Sequence, residues 1–210
     1  MQKGTVLDFG NLTGVIKFLK ENKYRLILSF IFILGFSFGI YFNSHFKAFS
    51  DWNSDYLNNY ILKRTNADLF SVMANSFLEA MLFIVLIFSF GGSFFGVILV
   101  PLCISLRGFF YGGVIAFLYS TYALQGIAFN ALLIIPAAAV FIMALMSAGL
   151  EAMDLSTDIL KLIMHNTNSA NLHHRFKRYY RKYYIITLFC LLSGIVDSLV
   201  SVNFIGKFNI

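Results

Sequence analysis

The sequence predicts an all-α protein, a single integral membrane bundle over residues 1–210 with about five spans. Of the 210 residues, 59% are hydrophobic and only 12% are charged, which is more apolar surface than a compact soluble domain can bury. The 25 phenylalanines agree, because so many large rings are typical of a wide lipid-facing surface. The formal net charge of +6 is interpreted as basic loops that fix orientation, so membrane lipids are expected partners and nucleic acid is not.

The first apolar run, residues 24–42, is predicted as a retained first span. Its length approaches what about 30 Å of hydrocarbon requires, and no small-residue cleavage pattern of a signal peptide follows it. A basic collar surrounds its start: Lys17, Lys20, Lys23 and Arg25. This collar predicts that the leader, residues 1–23, is cytoplasmic.

The polar segment 43–75 is predicted to be extracytoplasmic and to contain an amphipathic helix. Four aromatic residues fall on one stripe at helical spacing: Phe49, Trp52, Tyr56 and Tyr60. Two interpretations remain open. The helix lies at the membrane interface with its rings among the headgroups, or the stripe is a docking face for an extracytoplasmic partner.

The apolar run 77–124 is too long for one span and must be broken. A broken or re-entrant region is expected within FGGSFFGVILVPLCISLRGFFYGG, residues 90–113. One break is expected at the glycines Gly91, Gly92 and Gly96, and another at Pro101 and the Arg107-Gly108 pair. Proline removes a helix hydrogen bond and glycine lowers helix preference, but the position of the turn stays open.

Two further spans are predicted at residues 127–148 and 184–204. The segment 150–183 between them contains HHRFKRYYRKYY and is expected to be a cytoplasmic basic loop at the headgroups.

Glycine spacing predicts where helices approach each other closely. Gly35 and Gly39 form a small-x-x-x-small pair on one face of the first span. Gly108 and Gly112 have the same spacing in the broken region and are also assigned to helix packing.

Three ionisable residues fall within or near the spans: Glu79, Arg107 and Asp197. A charge at the bilayer centre costs about 2.5 to 3.5 kcal/mol on insertion scales, so each needs a reason. They either line a path for ions or substrate, or Arg107 sits at a cytoplasmic turn and Asp197 pairs with a polar neighbour. Their opposite charges also suggest that Arg107 and Asp197 interact.

The sequence contains no recognisable motif for catalysis, metal binding or nucleotide binding. There is no H-E-x-x-H, no serine on a G-x-S-x-G turn and no P-loop, and the histidines lack metal-ligand spacing. Cys103 and Cys190 lie in apolar runs, where a thiol behaves as a small hydrophobe. Neither an enzyme nor a metal or other cofactor is therefore expected.

The order of features from Phe90 to Gly149 resembles the stage II sporulation protein M family. A glycine-rich break and a proline lead to Arg107-Gly108 and Gly112, and Gly126 in a short outer loop precedes a span with Pro136. The resemblance implies a multi-pass protein of the bacterial cell membrane that acts during engulfment in sporulation. It further implies a non-enzymatic scaffold that holds peptidoglycan hydrolases, a lytic transglycosylase and an amidase, at the septal membrane.

An alternative function is a membrane subunit of a small-solute transporter that borrows an ATPase. The broken helix near residues 91–113 favours it, because discontinuous helices expose backbone groups to a ligand. No inverted repeat is detected, and no cluster of polar residues in several spans is expected to build a pocket.

Overall fold

The computed structural model describes residues 23–65, 67–165 and 172–205, and within them every regular element is helical. The elements are α1 (Lys23–His45), α2 (Lys47–Thr65), α3 (Leu69–Gly91), α4 (Gly96–Phe129), a π-helical segment (Asn130–Ile134), α5 (Ile135–His165) and α6 (Leu172–Phe204). The predicted all-α fold is confirmed. Apart from Lys23, the leader 1–23 lies outside the described residues.

Four helical stretches in the described chain are long and apolar enough to cross a membrane: residues 23–45, 69–91, 96–164 and 174–204. Large apolar side chains on their outer surface are exposed, including Phe30, Leu82 and Ile98. In water such a surface would be unfavourable, whereas in a bilayer these side chains contact lipid.

The third stretch contains two spans that reverse at Ala123. Its 69 residues would extend about 100 Å as one straight helix, more than three times the hydrocarbon thickness. Ala123 has φ 46° and ψ −120°, which interrupts the helix. Beyond it, the Asn130 side chain donates a hydrogen bond to the Tyr119 hydroxyl at 2.9 Å, although residues this far apart in a straight helix are about 16 Å apart. The bundle therefore has five spans, as predicted.

Ala123→Gly is expected to stabilise the protein by about 1 kcal/mol, because glycine adopts positive φ without the steric penalty of a Cβ. The matched control is Ala116→Gly, in the regular helix seven residues earlier, which should cost about 1 kcal/mol. Thermal unfolding in detergent measures both. A loss of stability at both positions would contradict the strained turn at Ala123.

The turn between α3 and α4 lies at the first expected break. Gly91 ends α3, Gly92 caps it, and α4 begins at Gly96. The second expected break, at Pro101 and Arg107-Gly108, is wrong because α4 continues through both. Pro101 is only the sixth residue of α4, so the loss of one backbone hydrogen bond near the helix start is tolerated.

Pro136 is the second residue of α5, two positions after the end of the π-helical segment. Proline cannot donate to the carbonyl of Leu132, and its ring would clash with that carbonyl in a tight α-turn. The wider π-turn relieves this conflict. It also leaves Asn130 and Leu133 buried among the helices.

A glycine seam, formed by Gly35, Gly39, Gly108 and Gly112, joins α1 to α4. A Cβ atom on Gly39 would lie 2.0 Å from the Phe109 carbonyl oxygen, and one on Gly112 would lie 2.1 Å from that of Phe36. These distances leave no room for any side chain. The two backbones therefore touch directly, in the manner of small-x-x-x-small packing in membranes.

The predicted loop 150–183 is mostly helical, which corrects that expectation. Helix α5 continues to His165 and α6 begins at Leu172, so the two helices extend beyond the predicted spans. Ion pairs of Glu151 with Lys182 and of Asp158 with Arg175 link the extensions. Each of these exposed pairs contributes at most about 1 kcal/mol, and both connect helices in a region whose polar composition alone had suggested a loop.

Candidate functional site

Helix α2 connects the first two spans and packs against α1, α4 and α6. The amide of Asn53 donates a buried hydrogen bond to Asn43 at 2.9 Å. The predicted stripe faces the bundle: the ring centroid of Phe49 is 4.9 Å from that of Phe109, and that of Trp52 is 5.4 Å from that of Phe110. Within the stripe, Trp52 remains 45% exposed.

A cavity of about 280 Å³ lies beneath α2, and residues from α2, α3, α4, α5, α6 and the π-helical segment line it. Its charged side chains are Arg64, Glu79, Arg107 and Asp197. Tyr56, Tyr60, Ser76, Tyr111 and Ser193 add polar atoms. The structure thus brings together all three predicted intramembrane charges, and the expectation of no polar pocket across several spans is wrong.

Asp197 is fully engaged in a buried network. Its carboxylate accepts hydrogen bonds from Arg64 at 2.6 Å, Tyr60 at 3.1 Å and Ser201 at 3.3 Å, and also from Ser76. The Arg64 guanidinium lies 3.5 Å from the centroid of the Tyr60 ring. Both charged residues are 5% exposed. This network ties α2 to α3 and α6.

Arg64, not Arg107, is therefore the ion-pair partner of Asp197. Arg64 was not among the predicted site residues, although it continues the four-residue spacing of Trp52, Tyr56 and Tyr60 along one face of α2. A basic residue on an aromatic, inward-facing stripe is the signal that could have identified it.

Arg107 lies inside α4 and not at a cytoplasmic turn. Three aromatic rings surround its guanidinium, with centroids 4.7 Å (Phe83), 4.6 Å (Tyr111) and 5.0 Å (Phe141) away. It donates one hydrogen bond, to the Tyr111 hydroxyl at 3.3 Å, and its Nε atom is buried without a partner among the described residues. Ring faces stabilise the cation but leave most of its donors unused.

Glu79 lies on α3, one helical turn after Ser76, and also lines the cavity. It forms no hydrogen bond or ion pair with any residue that the structure describes. Burial, followed by the negative charge of Glu79, raises the pKa of Tyr56 on α2 to about 12. Tyr56 is therefore a neutral phenol at physiological pH and presents a hydroxyl to the cavity.

No three His, Cys, Asp or Glu side chains converge as metal ligands in the described ranges. Cys103 and Cys190, both described, are free thiols within helices. The cavity instead offers charged and hydroxyl groups on aromatic and aliphatic walls, which is the composition of a small-molecule binding site.

Comparison with known proteins places the chain in a family. Searches of curated proteins and of solved structures gave no match. A family model described as stage II sporulation protein M matches residues 28–202, a range that includes α2, the glycine seam and every charged residue of the cavity. The resemblance drawn from the sequence is confirmed. The chain belongs to the stage II sporulation protein M family, a family of sporulation membrane proteins.

Proposed function

We propose that the protein is a non-enzymatic scaffold that holds peptidoglycan hydrolases, a lytic transglycosylase and an amidase, at the bacterial cell membrane during engulfment. The observation that carries this proposal is the outer face of α2. Four polar residues of that face are exposed: Asp51, Asp55, Asn58 and Asn59. Family membership is the second support.

The outer face of α2 suits a docking role because the opposite side of the helix is fixed. The Asn43–Asn53 hydrogen bond and the Arg64–Asp197 ion pair hold α2 on the bundle. A surface ordered before binding loses little conformational entropy when a partner docks. Trp52 at the edge of this face is a suitable aromatic anchor.

The orientation belongs to the same proposal. The basic collar before the first span, together with Arg175, Arg178, Arg181 and Lys182 on α6, favours a cytoplasmic side for those ends. With the N-terminus inside, α2 lies outside the membrane, on the side where peptidoglycan is found.

Trp52→Ala combined with Asn59→Arg is expected to reduce recovery of both hydrolases in co-purification by about tenfold or more. Loss of an anchor commonly costs 2 kcal/mol or more, and the new cation disturbs the adjoining contact. Trp52 and Tyr56 both line the cavity, but only Trp52 is exposed at its outer edge, so Tyr56 is left intact. The measurement is quantitative mass spectrometry of crosslinked membranes from sporulating cells.

The matched control is Leu82→Ala on the exposed side of α3, which should leave hydrolase recovery unchanged. Membrane insertion and protein level are compared for all variants. Undiminished recovery with the double variant would exclude this face as the docking surface.

A second candidate, a membrane subunit for small-solute transport, is favoured by the charged cavity. Ionisable residues inside membrane bundles often line paths for ions or substrates. Enrichment of a cytoplasmic ATPase in the same crosslinked membranes tests it, because the chain has no P-loop of its own and would need such a partner to drive transport.

A further inference from the structure

We propose that the cavity beneath α2 binds a small zwitterion, with the anionic group on Arg107 and the ammonium group on Glu79. This inference is independent of the scaffold proposal. It shares its cavity with the transport candidate but requires only binding.

The Arg64–Asp197 pair leaves two unpaired charges in the cavity. Arg64 and Asp197 neutralise each other's charge, and Tyr60, Ser76 and Ser201 form further hydrogen bonds with the pair. Arg107 and Glu79 form no ion pair with each other or with another described residue. A negative group on α3 and a positive group on α4 therefore face one cavity, each without an ion-pair partner in the described chain.

Arg107 is suited to an anionic oxygen group. Its planar guanidinium carries five N–H donors, and it uses one of them on Tyr111. The rings of Phe83, Tyr111 and Phe141 restrain the guanidinium. A restrained guanidinium loses little freedom when it binds a carboxylate or phosphate through two parallel hydrogen bonds.

Glu79 is suited to the ammonium group. A carboxylate accepts hydrogen bonds through two oxygens, and Glu79 donates or accepts none with the described residues. Aromatic walls near it, including Tyr56 and Phe83, also favour a cation over their ring faces. A ligand with only one charge would leave one of these two partly buried groups uncompensated.

The size of the cavity limits the ligand. An apolar cavity of about 150 Å³ accepts benzene, whereas this cavity is about 280 Å³. A free amino acid with a large side chain fits this volume. The headgroup of a zwitterionic lipid has the same ammonium-plus-anion chemistry, with its acyl chains left outside.

The test uses the full-length protein in nanodiscs of phosphatidylglycerol, which contain no zwitterionic lipid. Phenylalanine is compared with N-acetylphenylalanine, which lacks the ammonium group, and with phenylalaninamide, which lacks the carboxylate. Isothermal titration and thermal shift are expected to show at least tenfold tighter binding of phenylalanine than of either blocked analogue.

Glu79→Gln, which is nearly isosteric, should weaken phenylalanine binding at least tenfold and leave N-acetylphenylalanine unchanged. Arg107→Lys should weaken the binding of phenylalanine and of N-acetylphenylalanine by a similar factor. It should have little effect on the binding of phenylalaninamide. Lys182→Gln, far from the cavity, is the control with unchanged affinity.

A parallel arm titrates dihexanoyl phosphatidylethanolamine. If the lipid binds, its binding is lost in Glu79→Gln and phenylalanine does not bind, the cavity is assigned to a lipid headgroup. If phenylalanine binds, its binding is lost in Glu79→Gln and the lipid does not bind, the cavity is assigned to a soluble solute. Equal binding of the blocked analogues, or no binding of either zwitterion, would overturn the inference. Hydrolase recovery with Glu79→Gln stays at the wild-type level in each case, so the scaffold proposal is judged separately.

Discussion

Asp197→Asn is expected to destabilise the protein by about 3 to 5 kcal/mol, because it leaves the Arg64 cation buried without its counter-charge. Arg64 is 5% exposed and bonds to Asp197 at 2.6 Å. Asparagine preserves the shape and can still accept hydrogen bonds, so the loss reports on the charge. The midpoint of thermal unfolding in detergent is the measurement.

Two controls separate this effect from a general loss of charge. Glu151→Gln breaks the more exposed pair with Lys182 and should cost at most about 1 kcal/mol. The double variant Arg64→Met with Asp197→Leu removes both charges and should recover most of the stability. If Asp197→Asn costs no more than Glu151→Gln, the buried ion pair does not hold α2 on the bundle.

Gly39→Ala is expected to destabilise the protein by about 2 kcal/mol, despite the better helix preference of alanine. The added methyl carbon would lie 2.0 Å from the Phe109 carbonyl oxygen and 2.9 Å from the Gly113 nitrogen. These are backbone atoms, which cannot move aside as a flexible side chain can. Helices α1 and α4 must therefore separate along the whole seam.

Gly92→Ala is the matched control for the seam. The nearest atom to its added methyl is the Ser89 carbonyl oxygen at 3.6 Å, an ordinary contact. The midpoint of thermal unfolding of this variant should be close to that of the wild type. Equal stability of the two alanine variants would show that α1 and α4 do not touch through Gly39.

The spans and packing glycines are accessible from the sequence because their causes are local. A span is recognised because its apolar residues, as a helix, match the thickness of the hydrocarbon core. Packing glycines are recognised because residues four positions apart lie on one face of a helix. The helices within the region 150–183 were not predicted because polar composition marks only the exit from the membrane. Both helices continue beyond that point, and charges on one pair with charges on the other.

The cavity depends on contacts between residues far apart in the chain. Arg64 meets Asp197 across 133 positions, and no local pattern connects a polar segment to the end of the last span. Arg107 was misassigned for a related reason: an arginine followed by glycine is typical of a turn, but Gly108 here is required for contact with α1. Pairings of this kind follow from tertiary packing, which a sequence pattern specifies only weakly.

The glycine seam also limits how the molecule can change shape. Since the backbones of α1 and α4 touch with no side chains between them, these helices can slide or rotate only as one rigid body. The cavity lies on the boundary between that body and α3, α5 and α6, while α2 begins directly after α1 and is bound through Arg64 to α6. Any movement of that body against α3, α5 and α6 therefore has to carry α2 with it or break the Arg64–Asp197 ion pair.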